Sequence, residues 1–226
     1  MKELGMIFNG EMVRALLDDR KTQTRRPVRF PVLDKNLGCE LAGNELAGEL
    51  SAGNYLNSAF GKPRDRIWVR EAYRFPASLD DVSPTGVGEM AVATGYRKPW
   101  APTFYEFTGT FSDGWTGFET PPKVSGAGKL RPSIHMPRWA SRITLEITDV
   151  RVERLNSIHD VDAMREGIQN LTTCSHADFG IPGVVNAQHP VRAFQLLWES
   201  IYGADNWKAN PWVWVIEFKR VEGGAA

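Results

Sequence analysis

Lys21, Thr22 and Thr24 stand within four residues of one another in "DRKTQTRRPVRF", residues 19–30. A lysine that gives up its proton is a base, and a threonine hydroxyl beside it can be made a nucleophile. A carboxylic acid that protonates a leaving group would complete such a set, and Glu166 in "SIHDVDAMREGIQN" is the candidate. Residues 160–166 read as a short helix closed by Gly167, which places Glu166 in the last turn. The helix dipole disfavours an anion there by about 0.3–1 kcal/mol, in the direction a proton donor needs. For Lys21 to act as a base near pH 7, its ammonium must be destabilised by about 4–5 kcal/mol. Arg20, Arg25 and burial all act that way, whereas a direct pairing with Glu166 opposes it. The other assignment is a protonated Lys21 that stabilises an oxyanion, with Glu166 as the base.

Geometry constrains the trio. In a regular strand Lys21 faces away from Thr22 and Thr24, so the backbone must turn or bulge near Lys21 for all three to share a site. The alternative is an exposed edge strand guarded by its charges. Around this centre, Arg25, Arg26 and Arg138 are candidate phosphate contacts. Trp68 in "DRIWVRE" and Trp139 in "MPRWASR" are flanked by arginines and are candidates to stack on an unpaired base, or else ordinary core aromatics. Arg70 and Glu71, from "WVREAY", are expected as secondary pocket residues. Cys174, His176 and Asp178 cluster in "CSHAD", but without a second ligand pair they do not make zinc spacing, and no metal or other cofactor is expected. Phosphate-loop, dinucleotide and Gly-x-Ser-x-Gly signatures are absent.

Three stretches carry the periodicity that must position these groups. "NGEMVRALLDDR" sets Met12, Ala15, Leu16 and Asp19 at helical spacing behind Asn9 as N-cap. "RITLEITDVRVE" alternates Ile143, Leu145 and Ile147 with Thr144, Glu146 and Thr148, a strand with one buried face. "HPVRAFQLLWESIYG" places Phe194, Leu197, Trp198 and Ile201 on one helical stripe between Pro190 and Gly203. Further strands are expected at 66–73 and at 211–218, the latter with Trp212, Trp214, Ile216 and Phe218 on one face. The Glu-Leu-Ala-Gly near-repeat in 31–60 reads as an insertion. The Gly- and Pro-rich stretch 76–130 reads as long loops, with a hairpin around "EMAVATGYR". The expected fold is α+β: one domain over 1–226, built on a small mixed β-barrel with a few flanking helices and long loop insertions.

The chain has 226 residues, 42% hydrophobic and 24% charged, with 27 basic and 27 acidic side chains. A neutral total advertises no nucleic-acid partner, but charge is segregated: residues 20–29 are purely basic and 153–166 lean acidic. Two cysteines far apart exclude a disulfide framework and point to a reducing, cytoplasmic setting. No apolar run reaches membrane-spanning length, and the amino terminus lacks the apolar core of a signal peptide.

Taken in order, "DRKTQTRR", "DRIWVREAY", "RVERLNSIHDVDAMREGI" and "PWVWVIEF" resemble the ASCH domain family. The pattern is similar to the bacterial N(4)-acetylcytidine amidohydrolases and to larger ASCH proteins of phages and prophages. The resemblance covers about residues 5–30, 61–74 and 142–219, and leaves out the insertions at 31–60 and 76–130. It implies a PUA-like barrel and a cytoplasmic amidohydrolase that releases an acyl group from a nucleoside such as N(4)-acetylcytidine. It also implies Lys21 as proton acceptor, Thr24 as nucleophile and Glu166 as proton donor. Asp19 stands where the family pattern has glycine. Two other readings belong to the same pocket: a PUA-like module that binds RNA or a modified nucleotide without catalysis, and a ribonuclease. In each case the partner is a nucleoside or single-stranded RNA. Salt separates the classes, because binding through phosphates weakens steeply with ionic strength.

Overall fold

The computed structural model describes residues 1–112, 126–173 and 176–221. Along the chain these form β1 (Glu3–Ile7), α1 (Gly10–Leu17), β2 (Gln23–Pro27), β3 (Val32–Leu33), β4 (Glu40–Leu41) and α2 (Gly43–Ser51). Next come β5 (Arg66–Arg70), β6 (Tyr73–Arg74), α3 (Pro84–Ala93), β7 (Thr103–Tyr105), β8 (Thr110–Ser112) and β9 (Thr144–Arg154). The last third holds α4 (Asp160–Arg165), β10 (Gln169–Asn170), β11 (Phe179–Ile181), β12 (Val185–Ala187), α5 (Pro190–Tyr202), α6 (Ala204–Lys208) and β13 (Trp212–Arg220). The fold is α+β with several sheets. Among the described residues no sheet closes on itself, so the expected small barrel is not seen as a closed one.

The chain divides into two compact units. The first takes Met1–Lys2, Ala15–Arg66 and Glu146–Arg220. In it β9, β13 and β2 lie side by side in that order, with β2 antiparallel to β13. The register sets Gln23 opposite Glu217, Thr24 opposite Ile216 and Arg26 opposite Trp214. Helices α4 and α5 cover the sheet through a core of Leu155, Ile158, Ala163, Phe194, Leu197, Trp198, Val213 and Val215. Burying aliphatic and aromatic side chains of this size stabilises by roughly 1.5–3 kcal/mol each. Small sheets β3-β4 and β10-β11-β12 complete the unit.

The second unit takes Glu3–Arg14, the described residues from Ile67 to Leu145, and Val221. Here β1 lies beside β5, and β6-β7-β8 form a three-stranded sheet. Its core is Tyr73, Phe75, Val87, Ala101, Tyr105, Met136 and Ala140.

Several local expectations are met, and others change for identifiable reasons. Helices α1, α4 and α5 and strands β9 and β13 stand where periodicity placed them. Ile201, however, is 45% exposed and lies off the α5 stripe. In β13, Val213, Trp214, Val215 and Ile216 are all buried, so both faces are covered rather than one. Thr144 is buried as well, on the side of β9 expected to be polar. Strand β5 stops at Arg70, and the Glu71 amide donates to the Met136 sulfur at 3.4 Å instead of to a ladder. "EMAVATGYR" is no hairpin: its first five residues end α3, which is opened by Ser83, whose hydroxyl accepts from Gly86 N at 3.0 Å, and by Pro84 in the first turn. The near-repeat forms α2, with Leu46 and Leu50 buried four residues apart and Glu45 accepting from Ala42 N.

Candidate active site

The turn demanded at Lys21 is present. After α1, Asp19 takes a positive φ of 55°, and the amides of Arg20 and Lys21 both donate to Ala15 O, at 2.9 and 3.0 Å. The reversal drives Lys21 inward, where its side chain has no exposed surface. Its Nζ donates to Glu166 Oε2 at 2.7 Å and to the Glu166 carbonyl at 2.8 Å. Glu166 caps the C-terminus of α4, and Gly167 follows with φ 108°, a conformation other residues rarely adopt. A Cβ on Gly167 would also come within 3.3 Å of the Ala15 side chain and 3.7 Å of Lys21 Cβ. Glycine there lets the end of α4 close against the lysine.

Strand β2 does not fit the picture of a solvated edge. It is the last strand of its sheet, yet Gln23, Thr24 and Arg25 are all buried. Gln23 and Arg25 share one face by the two-residue period. Arg25 Nη1 donates to Gln23 Oε1 at 2.6 Å and to Glu166 Oε1 at 3.4 Å, and Nη2 donates to Glu153 Oε1 at 2.7 Å and Asp162 Oδ2 at 3.1 Å. Its guanidinium also lies 6.0 Å from the centroid of the Phe194 ring. Gln23 Nε2 reaches Glu217 Oε1 at 3.2 Å, and Arg151 Nη1 reaches the same oxygen at 2.7 Å. The basic run 20–29 and the acidic run 153–166 therefore meet within the first unit, and Arg25 serves the site as a counter-charge rather than as a phosphate contact.

Thr24 and Arg26 take the other face of β2. Thr24 is 1% exposed, and its Oγ1 has no hydrogen-bond partner among the described residues. Leaving such a hydroxyl buried and unsatisfied costs about 1–3 kcal/mol. No hydrogen bond joins Thr24 to Lys21 or Glu166 among the described residues. Arg26 lines a cavity of about 650 Å³ together with Pro27, Arg29, Phe60, Tyr202 and Trp214.

Burial is the main influence on Lys21 and pushes its pKa below 10.5. Glu166 opposes this through its charge and hydrogen bond, while the charges of Arg26 and Arg25 add to the lowering. Burial alone would raise Asp162, but the charge of Arg25, hydrogen bonds from Gln23 and Arg25, and the charge of Arg151 hold it below the usual carboxylate range.

The remaining sequence candidates belong to the second unit, each with partners of its own. The Arg70 guanidinium lies 4.4 Å over the Trp68 ring, and a Cβ on Gly5 would come within 2.6 Å of the same indole. Trp139 stacks on Phe75 at 5.4 Å and 5°. Arg138 donates to Glu3 Oε2 at 2.8 Å and to Thr144 Oγ1 at 3.3 Å. Glu71 is held by Arg142 through two bonds of 2.9 Å. Lys21, Arg25 and Glu166 are thus joined directly, whereas Trp68, Arg70, Glu71, Arg138 and Trp139 lie in the second unit, where Trp139 also lines a cavity of about 540 Å³ with Gly88, Val92, Pro99 and Pro137.

Gln23, Glu153 and Asp162 were missed as site residues; the charge segregation between the two runs was the signal that could have found them. Among the described residues no group of three His, Cys, Asp or Glu side chains is arranged to hold a metal, and Cys174 lies outside them. Neither protein-family models, nor curated proteins, nor solved structures include a match to this chain.

Proposed function

We propose that the first unit hydrolyses the amide of an N-acylated nucleoside or base such as N(4)-acetylcytidine, using Lys21, Thr24 and Glu166. One observation carries this reading: a buried threonine hydroxyl without a hydrogen-bond partner stands three residues along the chain from a fully buried lysine whose proton burial makes easier to lose. Orphaned buried hydroxyls are rare in folded proteins and call for a role. The ASCH-type, PUA-like assignment is part of the same proposal. It is supported by the meeting of the motif segments, with Lys21 on Glu166 and Thr24 opposite Ile216.

The chemistry balances with Lys21 as proton shuttle and Glu166 as its orienting partner. A neutral Nζ carries two N–H donors and one lone pair. The carbonyl and carboxylate of Glu166 take the two donors, which leaves the lone pair for the Thr24 hydroxyl. Thr24 Oγ then attacks the acyl carbon as its proton passes to Lys21, the C–N bond breaks, and the Lys21 proton goes to the departing amine. Water attacks the resulting ester, its proton passes through Lys21 to Thr24 Oγ, and the carboxylic acid leaves. Arg25, at 3.4 Å from the second oxygen of Glu166, balances the carboxylate throughout. Thr24 and Arg25 take opposite faces of β2, so this route requires the Thr24 hydroxyl to be brought to Lys21 when substrate binds.

The test is incubation with N(4)-acetylcytidine followed by chromatography for cytidine. Turnover is expected in the parent and lost by about 10³-fold or more in Thr24→Val. The same variant is expected to fold at least as stably, because valine removes the unsatisfied hydroxyl without changing the shape. No turnover by folded parent protein overturns the reading.

A further inference from the structure

The cavity bordering Arg26 has a lining that the reaction above does not use. Two arginines, Arg26 and Arg29, line it along with three aromatic residues, Phe60, Tyr202 and Trp214, and no aspartate or glutamate does. Its volume, about 650 Å³, lies within the range of sites for drug-sized ligands. The walls are set in advance. Phe60 meets Trp214 edge to face at 5.8 Å. Asn57, also in the lining, is fixed by bonds to Glu49 Oε2 at 2.8 Å and Asp34 Oδ2 at 3.3 Å and by accepting from Lys35 N at 3.0 Å. Asn206 is fixed by the Trp198 indole at 2.8 Å.

Aromatic faces accept any planar base, and guanidinium forks match phosphate oxygens better than any other side chain. We infer that this cavity is a nucleotide site, with the base against Phe60 and Tyr202, over a floor that includes Trp214, and a 5′-phosphate on Arg26 and Arg29. The inference rests on the hydrolase reading only in naming the substrate more closely, as a nucleoside monophosphate rather than a nucleoside. Arg26 shares the face of β2 that carries Thr24, two residues away, so a nucleotide held here lies along the strand from the hydroxyl. The cavity also couples to the lysine. The charge of Arg26 helps to lower Lys21, and a bound phosphate would offset that charge.

The test is calorimetry on the full chain at low salt with the four ribonucleoside 5′-monophosphates, their nucleosides, and inorganic phosphate. At least one monophosphate is expected to bind about tenfold or more tighter than both its nucleoside and phosphate. Arg29→Ala, an exposed position, should reduce it to the level of the nucleoside. The inference is overturned if no monophosphate binds, if phosphate alone binds as tightly, or if affinity survives unchanged in both Arg29→Ala and Arg26→Gln. Binding without hydrolysis of N(4)-acetylcytidine would sink the reaction and keep the site. Hydrolysis without monophosphate binding would do the reverse.

Discussion

Each of the two units buries a glutamate against a cation, and the two pairs are built for different ends. Glu166 is 3% exposed and paired with Lys21; Glu71 is 1% exposed and clamped on both oxygens by Arg142. A guanidinium does not give up its proton in a protein, so Arg142 can only hold Glu71 in place. It does so as part of a larger brace, reaching Thr108 and Thr110 and lying 4.0 Å over the Tyr105 ring. An ammonium loses its proton readily when desolvated, so the Lys21 pair can exchange what the Arg142 pair cannot. The unit that holds the lysine also holds a hydroxyl with no partner, while in the other the buried Tyr73 and Tyr105 hydroxyls donate to backbone carbonyls. Burial of a charge is therefore no guide to chemistry; the identity of the cation and the presence of an unsatisfied neighbour are.

The widest gap between the pairs should open on making the first resemble the second. Lys21→Arg fixes a permanent positive charge and removes the titratable amine, and turnover of N(4)-acetylcytidine is expected to fall by about 10²–10⁴-fold. A retained cooperative thermal transition would show that the fold survives. Activity within a few-fold of the parent would mean that the lysine is only a counter-ion. Glu71→Gln probes the clamp and should cost about 1.5–3 kcal/mol in urea unfolding, since it removes a charge-assisted double hydrogen bond. If the variant keeps its stability and loses turnover instead, Glu71 belongs with the chemistry and the contrast collapses.

The core of this arrangement was legible because it is local. Helix α1, the break after it, α4 with Gly167 behind it, and strand β9 follow from periodicity and capping residues that act within one or two turns of chain. The pairing of Lys21 with Glu166, 145 positions apart, was reached through resemblance and motif order, not from the pattern of either segment. The face on which Thr24 sits was half legible. Strand alternation separates it from Gln23 and Arg25, but nothing local says that both faces of β2 are buried. The cavity was not legible, since Phe60, Tyr202 and Trp214 come from an insertion, a helix end and a strand that only tertiary packing brings together. Trp68 shows the same limit, because a flanking arginine looks alike in sequence whether it awaits a ligand or, like Arg70, covers the indole.

The two units should also part company in alkali, where the expected effect is the smallest. Tyr73 and Tyr105 are pushed up to about 12, chiefly by burial, against the lowering charges of Arg131 and Arg142. Each phenol donates to a carbonyl, His135 O at 2.8 Å and Ala140 O at 3.0 Å, and ionisation abolishes the donor. A group raised in the folded state contributes stability that is complete below its unfolded pKa, here about 10, and lost as pH climbs through its folded value. The second unit should therefore weaken between about pH 10 and 12, by up to roughly 2–3 kcal/mol for Tyr105 and by less for the more solvent-screened Tyr73. Lys21 has the opposite sign. With its folded pKa lowered, the native state holds that proton less tightly than the unfolded chain, so stability rises with pH from the folded value up to about 10.5. Thermal scans from pH 8 to 11.5 on the parent and on Tyr105→Phe separate these contributions. The parent's Tm should turn downward above about pH 10 and the variant's should fall less steeply, whereas identical curves would mean that the buried phenols do not set the alkaline limit.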